Sequence, residues 1–473
     1  MREPRERKQT PSRRSRRLLL GSLGVAAILL AGRAAVPASR QTPEEPPQAQ
    51  RFPNVLVLSV DTLRADHVSA YGYKRRTTPN IDRLLASGVR FTEARTVEPL
   101  TNPSLCSMFT SLYPHEHGAT RNGLRVRPDV PSAVRSFARR GYRTAAFVGN
   151  WTLKNRISGL GDHFQSYDEV FTRKRWLGLF KGEATAADLT DSALAWLAEH
   201  QGGSNRPFVL WVHYVEPHAP YRLQEEFAPK LGVSASSETS RQDRYDTEIA
   251  FADHHIGRLL AAFDRDPRLK ANTLIVFAAD HGESLGEHSY WGHGRHLFET
   301  GLRIPLGFVW AGKIPPGGVV NAPAQNLDVA PTLLGLAGLP VPETFRGYDW
   351  APVLRGAEPP RGRVSWFEAH KGAVLSKQEA ANARRKGLLE IAALLDGKKE
   401  ILRVAEGKLW LFDLTADPRE SRSLVGPGGA LSPRLRDRLA EVQKGLAASD
   451  RLAPQEEIDP ENVRQLRALG YAN

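Results

Sequence analysis

The stretch Val55-Leu56-Val57-Leu58-Ser59-Val60-Asp61 places a carboxylate at the end of an unbroken apolar run. The same design returns far downstream, in Thr273-Leu274-Ile275-Val276-Phe277-Ala278-Ala279-Asp280-His281. A short, β-branched apolar run predicts a buried parallel strand with a polar residue at its carboxyl end. Ligands bind at that edge in open α/β sheets. We therefore expect Asp61, Asp280 and His281 to meet there as metal ligands.

Apolar strand runs alternate with helical patterns over the larger part of the chain. Residues 144–148 and 208–212 are typical of further buried strands, and residues 184–200 and 243–265 have helical spacing of apolar side chains. Strands that alternate with helices indicate an α/β fold with a mostly parallel central sheet sandwiched by helices. We place this domain at residues 53–350.

The pattern changes towards the carboxyl terminus. A passage rich in Pro, Gly and Arg (residues 351–363) precedes two apolar runs, 400–404 and 409–414, which predict an antiparallel hairpin. Helices are expected around residues 431–448 and 460–469. We place a small α+β subdomain at residues 360–473.

The positive charge of the chain is concentrated at its start. Residues 1–50 hold ten Lys/Arg and four acids, so they carry +6 of the formal net charge of +13. The remaining residues are only mildly basic, and they contain no basic run with interleaved aromatic side chains. These features argue against a nucleic-acid-binding protein.

The first segment also predicts the compartment. An apolar stretch at residues 18–31 follows the basic residues and is short for a membrane span. We interpret residues 1–36 as a signal peptide or an uncleaved signal anchor, and residues 37–52 as a linker. Either reading predicts an exported body, periplasmic or extracellular, that touches a membrane only through an uncleaved anchor. The single cysteine, Cys106, excludes an internal disulfide.

A hydroxyl residue between the two strand-end acids is a candidate nucleophile. Pro103 and the apolar spacing after it predict a helix that begins close to Thr101. A hydroxyl at that point faces free backbone N–H groups. A metal held by Asp61, Asp280 and His281 would lower the pKa of this hydroxyl. Viewed alone, Thr101 would more simply be interpreted as a helix cap.

Histidines gather in loops that follow the buried strands. His213 and His218 follow one strand, and His288 and His293 lie shortly after Asp280. Such loops indicate an anionic substrate or a metal. Asp253-His254-His255, by contrast, lies within a helical pattern and is expected at the surface.

Several separated motifs, in one order across residues 53–473, resemble the sulfatase branch of the alkaline phosphatase superfamily. They are Asp61-Thr62-Leu63-Arg64-Ala65-Asp66-His67, Pro103-Ser104, Thr110-Ser111-Leu112-Tyr113-Pro114-His115, Glu216-Pro217-His218-Ala219-Pro220-Tyr221, Asp280-His281-Gly282-Glu283, Gly292-His293-Gly294 and Leu411-Phe412-Asp413-Leu414. The resemblance implies an alkaline phosphatase-like fold and an exported metal-dependent hydrolase of anionic esters.

The resemblance also implies roles for individual residues. Asp61, Asp280, His281 and Thr101 would bind the metal. Thr101 would be the nucleophile, and His218 and His293 would contact the ester oxygens or protonate the leaving group. His213 and Asn122 are weaker candidates for substrate binding.

The chain departs from the family pattern at the nucleophile. Sulfatases carry Cys or Ser in a C/S-x-P-x-R motif that is oxidised to formylglycine, but here these positions are Thr101 and Leu105. Asn150 and Thr152 replace a lysine and a histidine of the family, and Thr62 replaces an aspartate. Threonine cannot yield formylglycine, so no such cofactor is expected.

These departures favour a phosphoester over a sulfate ester. A formylglycine hydrate expels sulfate by re-forming its aldehyde, whereas a threonine ester cannot; a phosphothreonine can be resolved by water or by another acceptor. Having His281 among the ligands shifts the expected ion from Ca²⁺ towards Zn²⁺ or Mn²⁺. Two alternatives stay open: a phosphoethanolamine-type transferase and a non-catalytic, metal-bound binding protein.

Overall fold

A computed structural model describes residues 52–171, 174–175, 180–181, 184–203, 206–236, 238–370, 387–426 and 428–449. The expected signal segment, almost all of the linker and the helix expected at 460–469 lie outside these residues. Within them, no helix is both long and apolar enough to cross a membrane.

An eight-stranded sheet forms the centre of the fold. From edge to edge its strands are β13 (Gly318–Val320), β2 (Val89–Phe91), β12 (Leu306–Val309), β9 (Thr273–Ala279), β1 (Asn54–Val60), β8 (Phe208–Tyr214), β4 (Arg143–Val148) and β5 (Ser166–Glu169). The five strands from β9 to β5 are mutually parallel, and β12 runs antiparallel to both of its neighbours. The mostly parallel sheet predicted from the sequence is therefore confirmed.

Helices surround this sheet. The α-helices of the described residues are α1 (Pro79–Ala86), α2 (Thr101–Thr110), α3 (Pro114–His117), α4 (Ala133–Arg139), α5 (Asn155–Ser158), α6 (Ala186–Gly203), α7 (Arg241–Arg265), α8 (Pro267–Ala271), α9 (Glu299–Leu302), α10 (Val329–Leu336), α11 (Ala351–Leu354) and α12 (Pro433–Ser449). Short 3₁₀ turns occupy Ala65–His67, Ser69–Tyr71, Trp151–Leu153, Leu160–His163, Pro229–Leu231, Glu287–Ser289 and Asn326–Asp328.

Burial on both faces explains why β1 is apolar throughout. The side chains of Val55 to Leu58 are at most 1% exposed, as expected for a strand covered by helices on each side. β1 lies between β8 and β9, so its carboxyl end has a neighbouring strand on each side.

The expectation that Asp253-His254-His255 lies at the surface is wrong for two of the three residues. Only His254 is exposed, whereas Asp253 and His255 are buried. The Asp253 carboxylate accepts hydrogen bonds from the backbone N–H groups of Asn80 and Ile81, and thereby ties α7 to the first turn of α1. A helical pattern alone does not show that a neighbouring helix covers its polar side.

A second, antiparallel sheet lies in the carboxyl-terminal part. Its strands are β15 (Ser365–His370), β16 (Leu388–Leu395), β17 (Lys398–Arg403) and β18 (Lys408–Asp413), in that order. β17 and β18 are the predicted hairpin. Three two-stranded pairs complete the strands of the described residues: β10 (Ser284–Leu285) with β11 (Trp291–Gly292), β3 (Ala94–Arg95) with β14 (Ala324–Gln325), and β6 (Lys174–Arg175) with β7 (Phe180–Lys181).

Candidate active site

The two strand-end acids lie side by side. β1 and β9 pair in parallel with Val60 opposite Ala279, so Asp61 and Asp280 emerge together at the carboxyl edge of the sheet. Both side chains are fully buried. One ligand atom from each of Asp61, Asp280 and His281 lies within 4.8 Å of the other two.

Backbone groups aim two of these side chains. The Nδ1 of His281 lies 2.8 Å from the Gly282 carbonyl oxygen; because a carbonyl only accepts, Nδ1 carries the proton and Nε2 faces the acids. Nε2 is 3.7 Å from Asp61 Oδ1 and 3.5 Å from Asp280 Oδ2. Asp280 Oδ1 accepts hydrogen bonds from the N–H groups of Thr62 and His281, at 3.1 and 2.7 Å. Its other oxygen is left to face the cluster.

The donor set fits a divalent cation. Burial raises the pKa of the Asp280 carboxyl well above its usual range, and the adjacent Asp61 raises it further. Burial lowers the pKa of His281 well below its usual value. Asp280 Oδ2 is buried and has no hydrogen-bond partner among the described residues. Two carboxylates and a neutral imidazole that converge in this way could hold a divalent cation.

Thr101 is the first residue of α2 and reaches the same cluster. Its hydroxyl oxygen lies 3.2 Å from His281 Nε2, and its side chain is fully buried. Ser104, one turn further along α2, donates a 2.6 Å hydrogen bond to the Asp280 carbonyl and so fixes the helix against the end of β9. Cys106 is buried in the same helix, where its thiol contacts Asn102, and burial raises the pKa of that thiol.

His293 and His218 lie above the cluster, close to each other. Their ring centroids are 5.2 Å apart, and that of His293 is 4.5 Å from His281. Nδ1 of His293 is 3.1 Å from the Glu283 carboxylate. Burial opposes protonation of His293, but Glu283, Asp61 and Asp280 outweigh it and raise its pKa. Burial lowers the pKa of His218 to about 3.

The two weaker candidates contact residues in or next to the site. His213 is fully buried on β8, where Nδ1 is 2.8 Å from the Ser59 hydroxyl and Nε2 is 3.8 Å from Asp61 Oδ2. Asn122 accepts a hydrogen bond from the Asn102 N–H group in the first turn of α2. Its amide nitrogen is buried without a hydrogen-bond partner in the described part of the chain.

Two residues of the site were not singled out as site residues from the sequence. Glu283 supports His293, and its place in Asp280-His281-Gly282-Glu283 was a usable signal. Asn150 follows β4 and donates its amide to Asp61. In the family pattern it stands out only as a replacement, although a polar residue at the end of a buried parallel strand is the same signal that marks Asp61.

Comparisons with known proteins identify the family to which the chain is similar. The family model described as sulfatase matches residues 53–339, and the model for the carboxyl-terminal part of N-sulphoglucosamine sulphohydrolase matches residues 286–445. An ulvan-active sulfatase of Formosa agariphila is 26% identical over 433 residues, which cover 82% of this chain and 81% of that protein.

Two solved structures illustrate the shared fold. One is a protein in complex with its substrate D-glucosamine-2-N,6-O-disulfate, with a TM-score of 0.65, 22% identity and coverage of 84% of this chain and 99% of that chain. The other is a phosphonate monoester hydrolase from Silicibacter pomeroyi, with a TM-score of 0.62, 22% identity and coverage of 85% and 96%.

Proposed function

Because this chain belongs to the sulfatase family of ester hydrolases, we propose that it cleaves phosphoesters with Thr101 as its nucleophile. The observation that carries the proposal is the Thr101 hydroxyl, which lies 3.2 Å from His281 Nε2 at the position of the formylglycine precursor. A threonine ester of sulfate has no aldehyde to re-form. A phosphothreonine is resolved by the ordinary attack of water.

Asp61, Asp280, His281 and Thr101 are the residues that would hold a divalent ion, with Zn²⁺ or Mn²⁺ favoured and Ca²⁺ as the alternative. Bound there, such an ion would lower the pKa of the threonine hydroxyl and offset the negative charge of the ester. The orientation of His281 by the Gly282 carbonyl supports this assignment, because it leaves Nε2 as an acceptor.

The chain then supplies the nucleophile, the proton donor and a hydrogen-bond donor of the reaction. Thr101 Oγ1, having released its proton to solvent, forms a bond to phosphorus while the bond to the leaving oxygen breaks, and His293, backed by Glu283, gives that oxygen a proton. The buried Asn122 amide nitrogen is a donor for a non-bridging oxygen, as in an oxyanion hole. His218 would contact the ester oxygens, and His213 is the weaker substrate contact. Water then attacks phosphorus and gives a proton back to His293, and phosphate leaves as the bond between phosphorus and Thr101 Oγ1 breaks.

A sulfate ester is the second candidate substrate. It is favoured by the ulvan-active sulfatase and by the fold neighbour that holds a disulfated sugar.

The cellular location is a further part of the proposal. The basic and apolar first segment supports export to the periplasm or the cell exterior. Amino-terminal sequencing of the secreted or membrane fraction would distinguish a cleaved signal from an anchor.

The test is hydrolysis of an aryl phosphate, an aryl phosphodiester and an aryl sulfate by the purified chain with Zn²⁺, Mn²⁺ or Ca²⁺. We expect a phosphoester to be cleaved fastest, Thr101→Ala to lose at least ~10³-fold of that rate, and Thr101→Ser to keep part of it. Mass spectrometry should detect phosphate on Thr101 under rapid quench.

Cys106→Ala is the matched control, because Cys106 lies in the same helix but faces Asn102. It should keep the wild-type rate. If Thr101→Ala hydrolyses as fast as wild type, Thr101 is not the nucleophile. If sulfate is cleaved and both phosphoesters survive, the sulfatase reading replaces ours. If none of the three esters is hydrolysed with any of the ions, the alternative of a non-catalytic, metal-bound binding protein is favoured.

A further inference from the structure

The loop after β4 reaches the metal site through Asn150. Asn150, two residues beyond the end of β4, is fully buried and donates its amide Nδ2 to Asp61 Oδ2. The other carboxylate oxygen, Asp61 Oδ1, is the one that lies 3.7 Å from His281 Nε2. The Asn150 amide thus binds the Asp61 carboxylate oxygen that is not the one near His281.

The orientation of this amide is fixed by Thr152. Asn150 Oδ1 lies 2.9 Å from the Thr152 backbone nitrogen and 2.8 Å from its hydroxyl oxygen. Because a backbone N–H group can only donate, the oxygen of the amide must face Thr152. Nδ2 must then face Asp61, and a flipped amide would set two acceptors against each other.

We propose that Asn150, locked by Thr152, is a positioning residue that holds Asp61 Oδ1 towards the metal. The inference rests on the metal site of the proposed function but not on its substrate. A neutral amide suits this task, because it satisfies one carboxylate oxygen without bringing a positive charge that would repel a cation. Partners of metal ligands commonly change metal affinity ~10–100-fold when they are removed.

A purely structural role for Asn150 is the rival explanation, since its Oδ1 also caps the short turn Trp151–Leu153. The two roles differ in what they affect. A capping role predicts a loss of stability that is the same with and without metal. A positioning role predicts a loss of metal affinity that exceeds any change in the stability of the metal-free protein.

The experiment is a titration of the metal-free full chain with Zn²⁺ and Mn²⁺ in competition with a chromogenic chelator. Asn150→Ala should bind both ions ~10–100-fold more weakly than wild type. Thr152→Val, which keeps the backbone donor and loses the hydroxyl, should show a smaller loss of several-fold. Thermal unfolding of the metal-free and metal-loaded proteins is measured alongside.

Asn80→Ala is the matched control. Asn80 also donates its amide to a buried carboxylate, Asp253, at 2.8 Å, but away from the metal site. It should lower stability without changing metal affinity. If Asn150→Ala binds as tightly as wild type, or loses no more affinity than Asn80→Ala, the proposal is overturned while the metal-dependent function stands. If Asn150→Ala does not fold, an unchanged affinity in Thr152→Val overturns it. If wild type binds neither ion, the metal site fails and the proposal fails with it.

Discussion

His293 and His218 face each other across the site but differ in their affinity for protons. The pKa of His293 is raised, because the Glu283, Asp61 and Asp280 carboxylates outweigh its burial, whereas burial lowers the pKa of His218 to about 3. Of the two, the histidine with the raised pKa is the better suited to act as a general acid, and the one with the lowered pKa is suited to donate a single hydrogen bond as a neutral ring.

The proton-donor role of His293 predicts a dependence on the leaving group. His293→Ala should slow an alkyl ester ~10²–10⁴-fold, because an alkoxide needs a proton as it departs. A 4-nitrophenyl ester should lose much less, since nitrophenolate leaves without help. Steady-state rates on the two esters provide the measurement. Equal losses on both would assign His293 to binding. His288→Ala is the control, because His288 lies on the same loop but stacks on Phe298.

For single residues, the sequence predicts which side chains come together but not how each side chain is oriented. Asp61, Asp280 and His281 come together because parallel strands end at one edge, which is a pattern that can be read. The choice of Nε2 on His281 depends on the direction of the Gly282 carbonyl, and the role of Asn150 depends on Thr152. Both are properties of folded loops, so no sequence pattern shows them.

The end of β9 approaches α9 too closely for a side chain. Gly282 donates a backbone hydrogen bond of 2.8 Å to Gly301, and a methyl group on Gly282 would lie 2.1 Å from the Thr300 carbonyl oxygen. Gly282→Ala must therefore push β9 and α9 apart. Its carbonyl also orients His281, so the variant should lose both stability and metal affinity.

Calorimetry of the metal-free chain and a zinc titration would measure these two effects for Gly282→Ala. We expect a destabilisation of ~1–3 kcal/mol, as for other overpacked sites. Gly202→Ala on α6 is the control, because nothing lies within 4 Å of its added methyl group. If Gly282→Ala matched this control in both measurements, the close approach would not hold in solution.

β15 carries an acid that should make stability depend on pH. Glu368 is fully buried and accepts a hydrogen bond of 2.6 Å from His115, with Arg438 3.5 Å away. Burial pushes its pKa up, but His115, Arg438 and His370 outweigh burial and hold the pKa at about 2. The folded state therefore binds fewer protons than the unfolded one between the two pKa values. The stabilisation is complete above the ordinary value of 4.5 and is lost as the pH falls towards 2.

Glu368→Gln should lower the free energy of unfolding at pH 7 by on the order of 3 kcal/mol. The difference from wild type should shrink once the pH falls below that ordinary value. Urea unfolding at a series of pH values measures it. The exposed Glu343→Gln is the control and should run parallel to wild type throughout. A Glu368→Gln curve with the same pH dependence as wild type would contradict the assignment.

At the scale of the whole molecule, a buried cluster of charged side chains joins the four-stranded antiparallel sheet to the part of the fold built around the eight-stranded sheet. Lys399 on β17 is fully buried, with its Nζ 2.9 Å from Glu299 at the start of α9 and 2.8 Å from Glu420. Arg95 on β3 also contacts Glu299, at 2.8 Å. Positive groups from separate parts of the chain thus converge on one carboxylate, in a place where water cannot screen them.

Lys399→Met should destabilise the protein by ~3–5 kcal/mol, because it leaves the buried Glu420 carboxylate without its cation and removes one of the two cations at Glu299. Adding Glu420→Gln should recover part of this loss. Chemical denaturation of the single and double variants measures both. Lys398→Met, at a half-exposed neighbour that pairs with Asp413, should change stability by less than ~1 kcal/mol. Equal effects at both lysines would show that burial does not set the strength of the cluster.

The central position of β1 also has a consequence for biosynthesis. Ser59 and His213 touch although they are 154 residues apart, and Thr62 reaches Asp280 across 218 residues. β1, the first strand of the described residues, must therefore wait for residues 208–214 before one neighbour exists and for residues 273–279 before the other does, and contacts of such long range form slowly. A nascent chain released before His281 would carry half a metal site and an apolar strand without partners. Chaperones and proteases would bind such an incomplete chain before any metal ion does.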